Sequence, residues 1–272
     1  MPYAQVGDIQ LYYEEAGPVE NERGSREAPP VVFLHGFTLD SRMWAEQIGH
    51  FGATHRVIAV DARGHGRSDA PPTGYSRRDR VLDLKAFVDA VGLDRFHLVG
   101  LSMGGSTAIG FALEHQHRLA SLTLVSTGAA GYNVSKKISH IDTMAREKGL
   151  EAARAKWREI SLIYYKENKQ DIAQRMATMI DQHSGATWMD HRRGAYPREE
   201  DLPRVHTIDA PTLIVAGADD KVFAELAGLL HERIRGSNLL IYDRVGHMVN
   251  MEAPSRFNKD LERFLSTQEK RL

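Results

Sequence analysis

Two short runs at the start of the chain, Tyr3–Val6 and Ile9–Glu14, alternate apolar and polar residues on either side of Gly7-Asp8. A period of two about a glycine–aspartate pair predicts a β-hairpin with one buried face. The polar segment 17–30, rich in glycine and proline, reads as an exposed loop. From Val31 the pattern changes. Short apolar runs without polar alternation occur at Val31–Leu34, Val57–Val60, Phe96–Val99, Leu122–Val125, Thr212–Ala216 and Leu239–Tyr242. Stretches with helical periodicity stand between or after them, at Arg77–Val91, Met103–His117, Ala224–Arg235 and Pro254–Leu265. Continuous runs rich in β-branched residues suit strands covered on both faces, and the alternation suits right-handed crossovers. The expected fold class is α/β: a doubly wound, mostly parallel β-sheet flanked by helices.

One stretch breaks the alternation. From about Gly131 to Arg204 no strand-like run occurs, and the helical patterns carry Trp157, Tyr164, Tyr165, Met176, Met179, Trp188 and Met189. The expected organisation is a core of residues 1–130 and 206–272 with a helical cap, or lid, of residues 131–205. Inserted between two sheet strands, that cap should sit over the carboxyl edge of the sheet.

Composition narrows the function. The 272 residues, 42% hydrophobic and 26% charged, describe an ordinary globular chain with room for one large α/β domain or two small ones. With 35 Lys and Arg against 36 Asp and Glu there is no basic excess to neutralise phosphates, so no nucleic-acid partner is expected. The lack of cysteine excludes disulfides, thiolate metal sites and cysteine nucleophiles. No apolar run approaches the roughly 18 residues that span a bilayer. The opening MPYAQVGDIQLYYEE has acidic residues where an export signal has its apolar core, so a cytoplasmic protein without membrane association is expected. The thirteen histidines show no ligand spacing with carboxylates, and no P-loop lysine is present, so neither a metal nor a cofactor is called for. Monomer and homodimer both remain open.

The chemistry concentrates at strand ends. Gly100-Leu101-Ser102-Met103-Gly104 is a G-x-S-x-G pattern that runs from a buried strand straight into a small-residue helix. Such a turn exposes a serine hydroxyl at the carboxyl edge beside a helix N-terminus. A serine hydroxyl needs an adjacent base. His247, in the loop after strand Leu239–Tyr242, stands on the same edge, whereas His50, His55, His97, His115, His117, His183 and His231 fall on helices, strand starts or other loops. An acid must orient that base, and Gly217-Ala218-Asp219-Asp220 ends strand Thr212–Ala216. Asp220 is preferred, with Asp219 open. The oxyanion formed on attack needs preorganised donors, each worth roughly 3 kcal/mol of barrier. The backbone N–H groups of Met103 and of Phe37, in the turn His35-Gly36-Phe37, are the candidates.

These stretches, together with Asp61-Ala-Arg-Gly-His-Gly-Arg-Ser68 and Gly246-His247, resemble the α/β-hydrolase fold superfamily, serine-nucleophile branch, over nearly the whole chain. The resemblance implies the order Ser102, Asp220, His247 and a structural role for Asp61–Ser68 in bracing the nucleophile loop, which leaves His65 out as base. Thr38–Trp44 followed by Asp61-Ala-Arg-Gly-His-Gly is similar to 3-oxoadipate enol-lactonases and carboxylesterase-like members. Carbon–carbon bond hydrolases usually carry Gly-Pro-Gly after the oxyanion turn and tryptophan after the base; here Phe37-Thr38-Leu39 and Met248-Val249 stand instead. The function expected is hydrolysis of small carboxylic esters or lactones through an acyl-enzyme. Perhydrolysis, acyl transfer, carbon–carbon cleavage and a non-catalytic receptor of the same fold are the alternatives.

Trp157, Tyr164, Met176 and Trp188 are the candidate substrate contacts of the cap, with Met144, Ile160 and Met179 as further apolar candidates; at helical spacing most such residues read equally as the core of the cap. The pairs Arg77-Arg78 and Arg192-Arg193 read either as carboxylate clamps or as exposed, solubilising charges.

Overall fold

The computed structural model describes residues 2–18, 28–132, 140–162, 165, 169–192, 195–196 and 200–271. Its strands are β1 (Tyr3–Val6), β2 (Ile9–Ala16), β3 (Val31–Leu34), β4 (Val57–Val60), β5 (Phe96–Leu101), β6 (Leu119–Val125), β7 (Thr212–Gly217) and β8 (Asn238–Tyr242). They form one sheet in the order β1-β2-β4-β3-β5-β6-β7-β8. The β1–β2 hairpin and the β2–β4 pairing are antiparallel; every other pairing is parallel. Every residue of β3 through β7 is buried, as strands with both faces covered must be, while edge strands β1 and β8 are partly open.

Helices cover both faces. Val32 and Leu34 of β3 point to one side, where α2 (Arg77–Ala90), α3 (Met103–His115) and α8 (Lys221–Arg233) supply Phe87, Phe111 and Leu230. Val31 and Phe33 point to the other, where α1 (Ala45–Phe51) and α10 (Pro254–Glu269) supply Phe51, Phe257 and Leu261. That alternation within β3 is the pleat of a strand between two layers. Helix α2 opens on a capping box between Ser76 and Asp79, and α10 opens on Pro254, whose missing N–H needs no partner there.

Between β6 and β7 lie α4 (His140–Lys148), α5 (Leu150–Leu162), α6 (Gln170–Gln182) and α7 (Ala186–Met189). Ile141, Ala145, Ala153 and Trp188 give these helices a small apolar centre of their own, while Met176 and Ile180 of α6 join the main core. The short helix α9 (Val249–Glu252) precedes α10. Strand register then sets the site. Leu34 pairs with Gly100, and Gly217 pairs with Tyr242, so the loops after β3, β5, β7 and β8 leave the sheet at one edge.

Candidate active site

Strand β5 ends at Leu101 and α3 begins at Met103, which leaves Ser102 alone to make the turn, with φ 55° and ψ −109°. A side-chain-bearing residue in that region costs about 1–3 kcal/mol, and the surrounding chain holds it there. The Ser102 N–H donates to Val125 O at 3.0 Å, and its carbonyl accepts from the N–H groups of Ser106 and Gly128 at 3.0 and 3.1 Å. The flanking glycines permit the approach. A Cβ on Gly100 would lie 2.5 Å from Gly104 O, and one on Gly104 would lie 2.3 Å from Leu34 O.

The turn after β3 is closed by Leu39 N–H to Gly36 O at 3.2 Å, with Thr38 in the left-handed region at φ 62°. Glycine or asparagine is the ordinary occupant of such a position, and a β-branched residue there is a marked exception. His35 holds the same carbonyl. Its Nε2 accepts from Ala62 N–H at 2.9 Å, so its Nδ1 carries the proton and donates to Gly36 O at 2.8 Å. Gly36 O and Phe37 N–H belong to one planar peptide, so two donors on the oxygen fix the direction of the N–H. Neither Phe37 N–H nor Met103 N–H donates to any described residue.

Past β7, Asp220 stands at the N-terminus of α8, and its Oδ2 lies 2.5 Å from His247 Nδ1. The carboxylate against the imidazole is thus that of Asp220. Glu252, whose side chain is fully buried, holds the histidine loop from both sides: it accepts from Gly246 N–H at 2.8 Å and Met248 N–H at 3.0 Å. Lys169 and the Tyr165 hydroxyl donate to the same carboxylate. Burial and Glu252 push the Tyr165 phenol upward, which keeps it a donor. The Ser102 hydroxyl forms no hydrogen bond to the imidazole among the described residues, although both face one cavity.

That cavity, about 590 Å³, is lined by Phe37, Ser102, Met103, Asp220 and His247 on the sheet side. Trp157, Ile160, Met176 and Ile180 line it from α5 and α6. Of the cap residues expected at substrate, Trp157 and Met176 are in the wall and Tyr164 lies outside the described residues; Tyr165 lines the cavity. Trp188 is not in the wall. It is buried behind Phe37, their ring centroids 6.2 Å apart, because α7 turns its indole into the apolar cluster with Ile141, Ala145 and Ala153. Arg77 is neither clamp nor solubiliser: its guanidinium pairs with buried Asp201 at 3.1 Å. The cavity arginines are Arg63, held bidentately by Asp83, and Arg80, which donates to Thr107 Oγ1 and Tyr75 O, both at 3.1 Å. Their positions follow from tertiary packing of α2, which no local spacing reveals. The Asp61–Ser68 stretch, expected to brace the turn at Ser102, bonds to the segment after β3: Asp61 accepts from Ser41 N–H at 2.7 Å, and Ala62 N–H donates to His35 Nε2 at 2.9 Å.

Behind Phe37, the His35, His65 and His183 rings gather, with His65 4.7 Å from His183 and 5.0 Å from His35. Burial holds His183 down to about 3 from its ordinary 6.5 and pushes His65 the same way, so both are neutral. At the far end, hydrogen bonds from His97 and His55 hold Glu269 down to about 2. A depressed folded-state value means that the unfolded chain binds the proton first. The stability from His183 is whole above about 6.5 and drains as pH falls towards about 3; that from Glu269 drains from about 4.5 towards about 2. Thermal unfolding should therefore shift steadily downward from pH 6.5 to 4, and His183→Gln should flatten the decline. Parallel slopes in the two proteins would show that the His183 imidazole is hydrated instead.

The alpha/beta hydrolase fold family pattern matches residues 29–254. The 2-hydroxy-6-oxononadienedioate/2-hydroxy-6-oxononatrienedioate hydrolase of Klebsiella pneumoniae is 31% identical over 254 residues, 87% of this chain and 86% of that protein. The 3-oxoadipate enol-lactonase 1 of Acinetobacter baylyi is 26% identical over 242 residues, 86% and 87% of the two chains. The crystal structure of the enol-lactonase from Burkholderia xenovorans LB400 superposes with a TM-score of 0.83 at 25% identity, covering 97% of this chain and all of that one. A strained serine between strand and helix, a carboxylate paired with an imidazole at the same edge of the sheet, and a family match over residues 29–254 agree with one another. The chain belongs to the alpha/beta hydrolase fold family and is a hydrolase of that α/β fold.

Proposed function

We propose that the protein is a serine hydrolase of small carboxylic esters or lactones, with residues 131–205 as a cap over the substrate. One observation carries this reading: Ser102, the Asp220–His247 pair and two unused N–H groups open into a single cavity of about 590 Å³. Because Asp220 accepts the hydrogen bond from His247 Nδ1–H and so keeps the proton on Nδ1, Nε2 presents its lone pair as the base. Ser102 Oγ attacks the carbonyl carbon as Nε2 removes the hydroxyl proton. The carbonyl oxygen becomes an anion between Phe37 N–H and Met103 N–H, at the positive end of α3. The imidazolium then protonates the leaving alkoxide, which leaves an acyl-Ser102. Water, deprotonated by the same imidazole, attacks the acyl carbon, and collapse releases the acid. The serine–imidazole contact closes with substrate bound, as catalytic hydrogen bonds in unliganded sites commonly do.

Carbon–carbon cleavage on the same side chains is a second reading. It is favoured by the Klebsiella relative, whose named substrate carries a ketone and no ester. A panel of p-nitrophenyl acetate and butyrate, γ-butyrolactone and an unsaturated 6-oxo diacid separates the two. Turnover of the esters to equal amounts of acid and p-nitrophenol, or of the lactone to its single hydroxy acid, is expected to exceed turnover of the oxo diacid. Turnover confined to the oxo diacid overturns ester hydrolysis.

A further inference from the structure

One link between the cap and the sheet edge ends beside the oxyanion site. Trp157 in α5 donates its indole N–H to Thr38 Oγ1 at 2.7 Å, and the Thr38 hydroxyl donates onward to Phe37 O at 2.6 Å. The Trp157 ring also packs edge-on against Phe37, with centroids 5.5 Å apart. Thr38 is the residue held at φ 62°, a conformation that its branched side chain opposes. The left-handed bend at Thr38 lets Leu39 N–H reach back to Gly36 O, and that carbonyl shares its peptide plane with Phe37 N–H. If Thr38 relaxes, Leu39 releases Gly36 O, and the plane is held by His35 alone.

We propose that Trp157 is a positioning residue: its indole N–H holds Thr38 in the strained conformation that aims the Phe37 N–H at the reacting carbonyl oxygen. The oxyanion turn is therefore in working geometry when α5 is seated on it and relaxes when α5 lifts. This deepens the serine-hydrolase reading and rests on it. It also separates two duties of one side chain, since Trp157 stands in the cavity wall as well. A wall residue acts on ground-state binding, whereas a residue that aims an oxyanion donor acts on the transition state.

The test measures p-nitrophenyl butyrate kinetics for Trp157→Phe, Thr38→Val and the double variant. It adds inhibition by a trifluoromethyl ketone, which forms a tetrahedral adduct on the serine, and by the product butyrate. Trp157→Phe keeps an aromatic ring and loses the donor; Thr38→Val keeps the shape and loses the hydroxyl. Each single variant is expected to lower kcat about tenfold to a hundredfold, part of what deleting an oxyanion donor outright would cost. KM and butyrate inhibition should stay close to wild type, while the ketone weakens in step with kcat/KM. The double variant should be no slower than the slower single variant, because both break one chain of bonds. An unchanged kcat with raised KM and weaker butyrate binding overturns the proposal and leaves Trp157 as wall alone. So do losses that multiply in the double variant. Should Trp157→Phe fail to fold, the same readouts on Thr38→Val decide. Failure here is distinct from failure of the hydrolase reading, which shows as full activity in Ser102→Ala.

Discussion

Ser102→Ala is expected to lower ester turnover about 10⁴-fold or more while leaving the thermal midpoint almost unmoved. The two halves of that result have separate causes. In the proposed mechanism the hydroxyl is the atom that forms the acyl bond, so without it the cavity is left with its donors and its binding surface, which alone give only a residual rate. The hydroxyl makes no hydrogen bond to a described residue, so its removal leaves no buried group without a partner. What holds the turn is backbone: Val125 O, Ser106 N–H and Gly128 N–H, all of which alanine keeps. Alanine carries the same Cβ as serine and meets the same opposition at φ 55°, so the strain neither grows nor is relieved. Circular dichroism and a thermal melt beside the p-nitrophenyl panel check both halves. Undiminished activity in a folded variant removes Ser102 as nucleophile, and an inactive but much less stable variant shows that the hydroxyl also supports the turn.

The sheet is legible in the sequence because burial on both faces leaves a mark that survives without context. Val31–Leu34 and Val57–Val60 are apolar throughout, and both are strands over those same residues. Where one end of a run is polar the reading stops short: β6 starts at Leu119 rather than Leu122, because Ser121 is buried in the sheet against the His97 imidazole. Helix α1 leaves no clear periodic trace because it is only Ala45–Phe51, two turns long. The edge position of Ser102, Asp220 and His247 is legible for a different reason. A strand end followed by a glycine-rich or acidic turn marks the carboxyl edge, and parallel strands bring all such ends together. The remainder of the cavity has no such mark. Arg63, Arg80 and Tyr75 reach it through the path of one loop and one helix, and Thr38 enters a left-handed conformation that its residue type opposes. Trp157 and Trp188 look alike at helical spacing, yet one indole bonds to Thr38 in the turn after β3 and the other fills the cluster with Ile141, Ala145 and Ala153. Only the direction in which each helix is rolled distinguishes them.

Asp220→Asn is expected to lower kcat about 10⁴-fold, although it replaces one carboxylate oxygen by an amide nitrogen and changes no shape. The wild-type carboxylate can only accept, so at 2.5 Å it fixes the proton on His247 Nδ1 and leaves Nε2 bare toward the serine. Asparagine reverses the polarity. Its amide can donate to Nδ1, which moves the imidazole proton to Nε2, where it meets the serine hydroxyl donor to donor. The base is lost without any movement of the ring. The second contribution is charge: an imidazolium formed during attack has a neutral amide beside it in place of a carboxylate. The loop itself should hold, because Glu252 grips Gly246 and Met248 on either side of His247 independently of Asp220. Imidazole ¹H–¹⁵N NMR on the folded variant reads the tautomer directly, and the steady-state rate reads its consequence. A shift of the proton to Nε2 together with the collapse in kcat is the expected pair. A rate within about tenfold of wild type would mean that a group other than Asp220 orients His247.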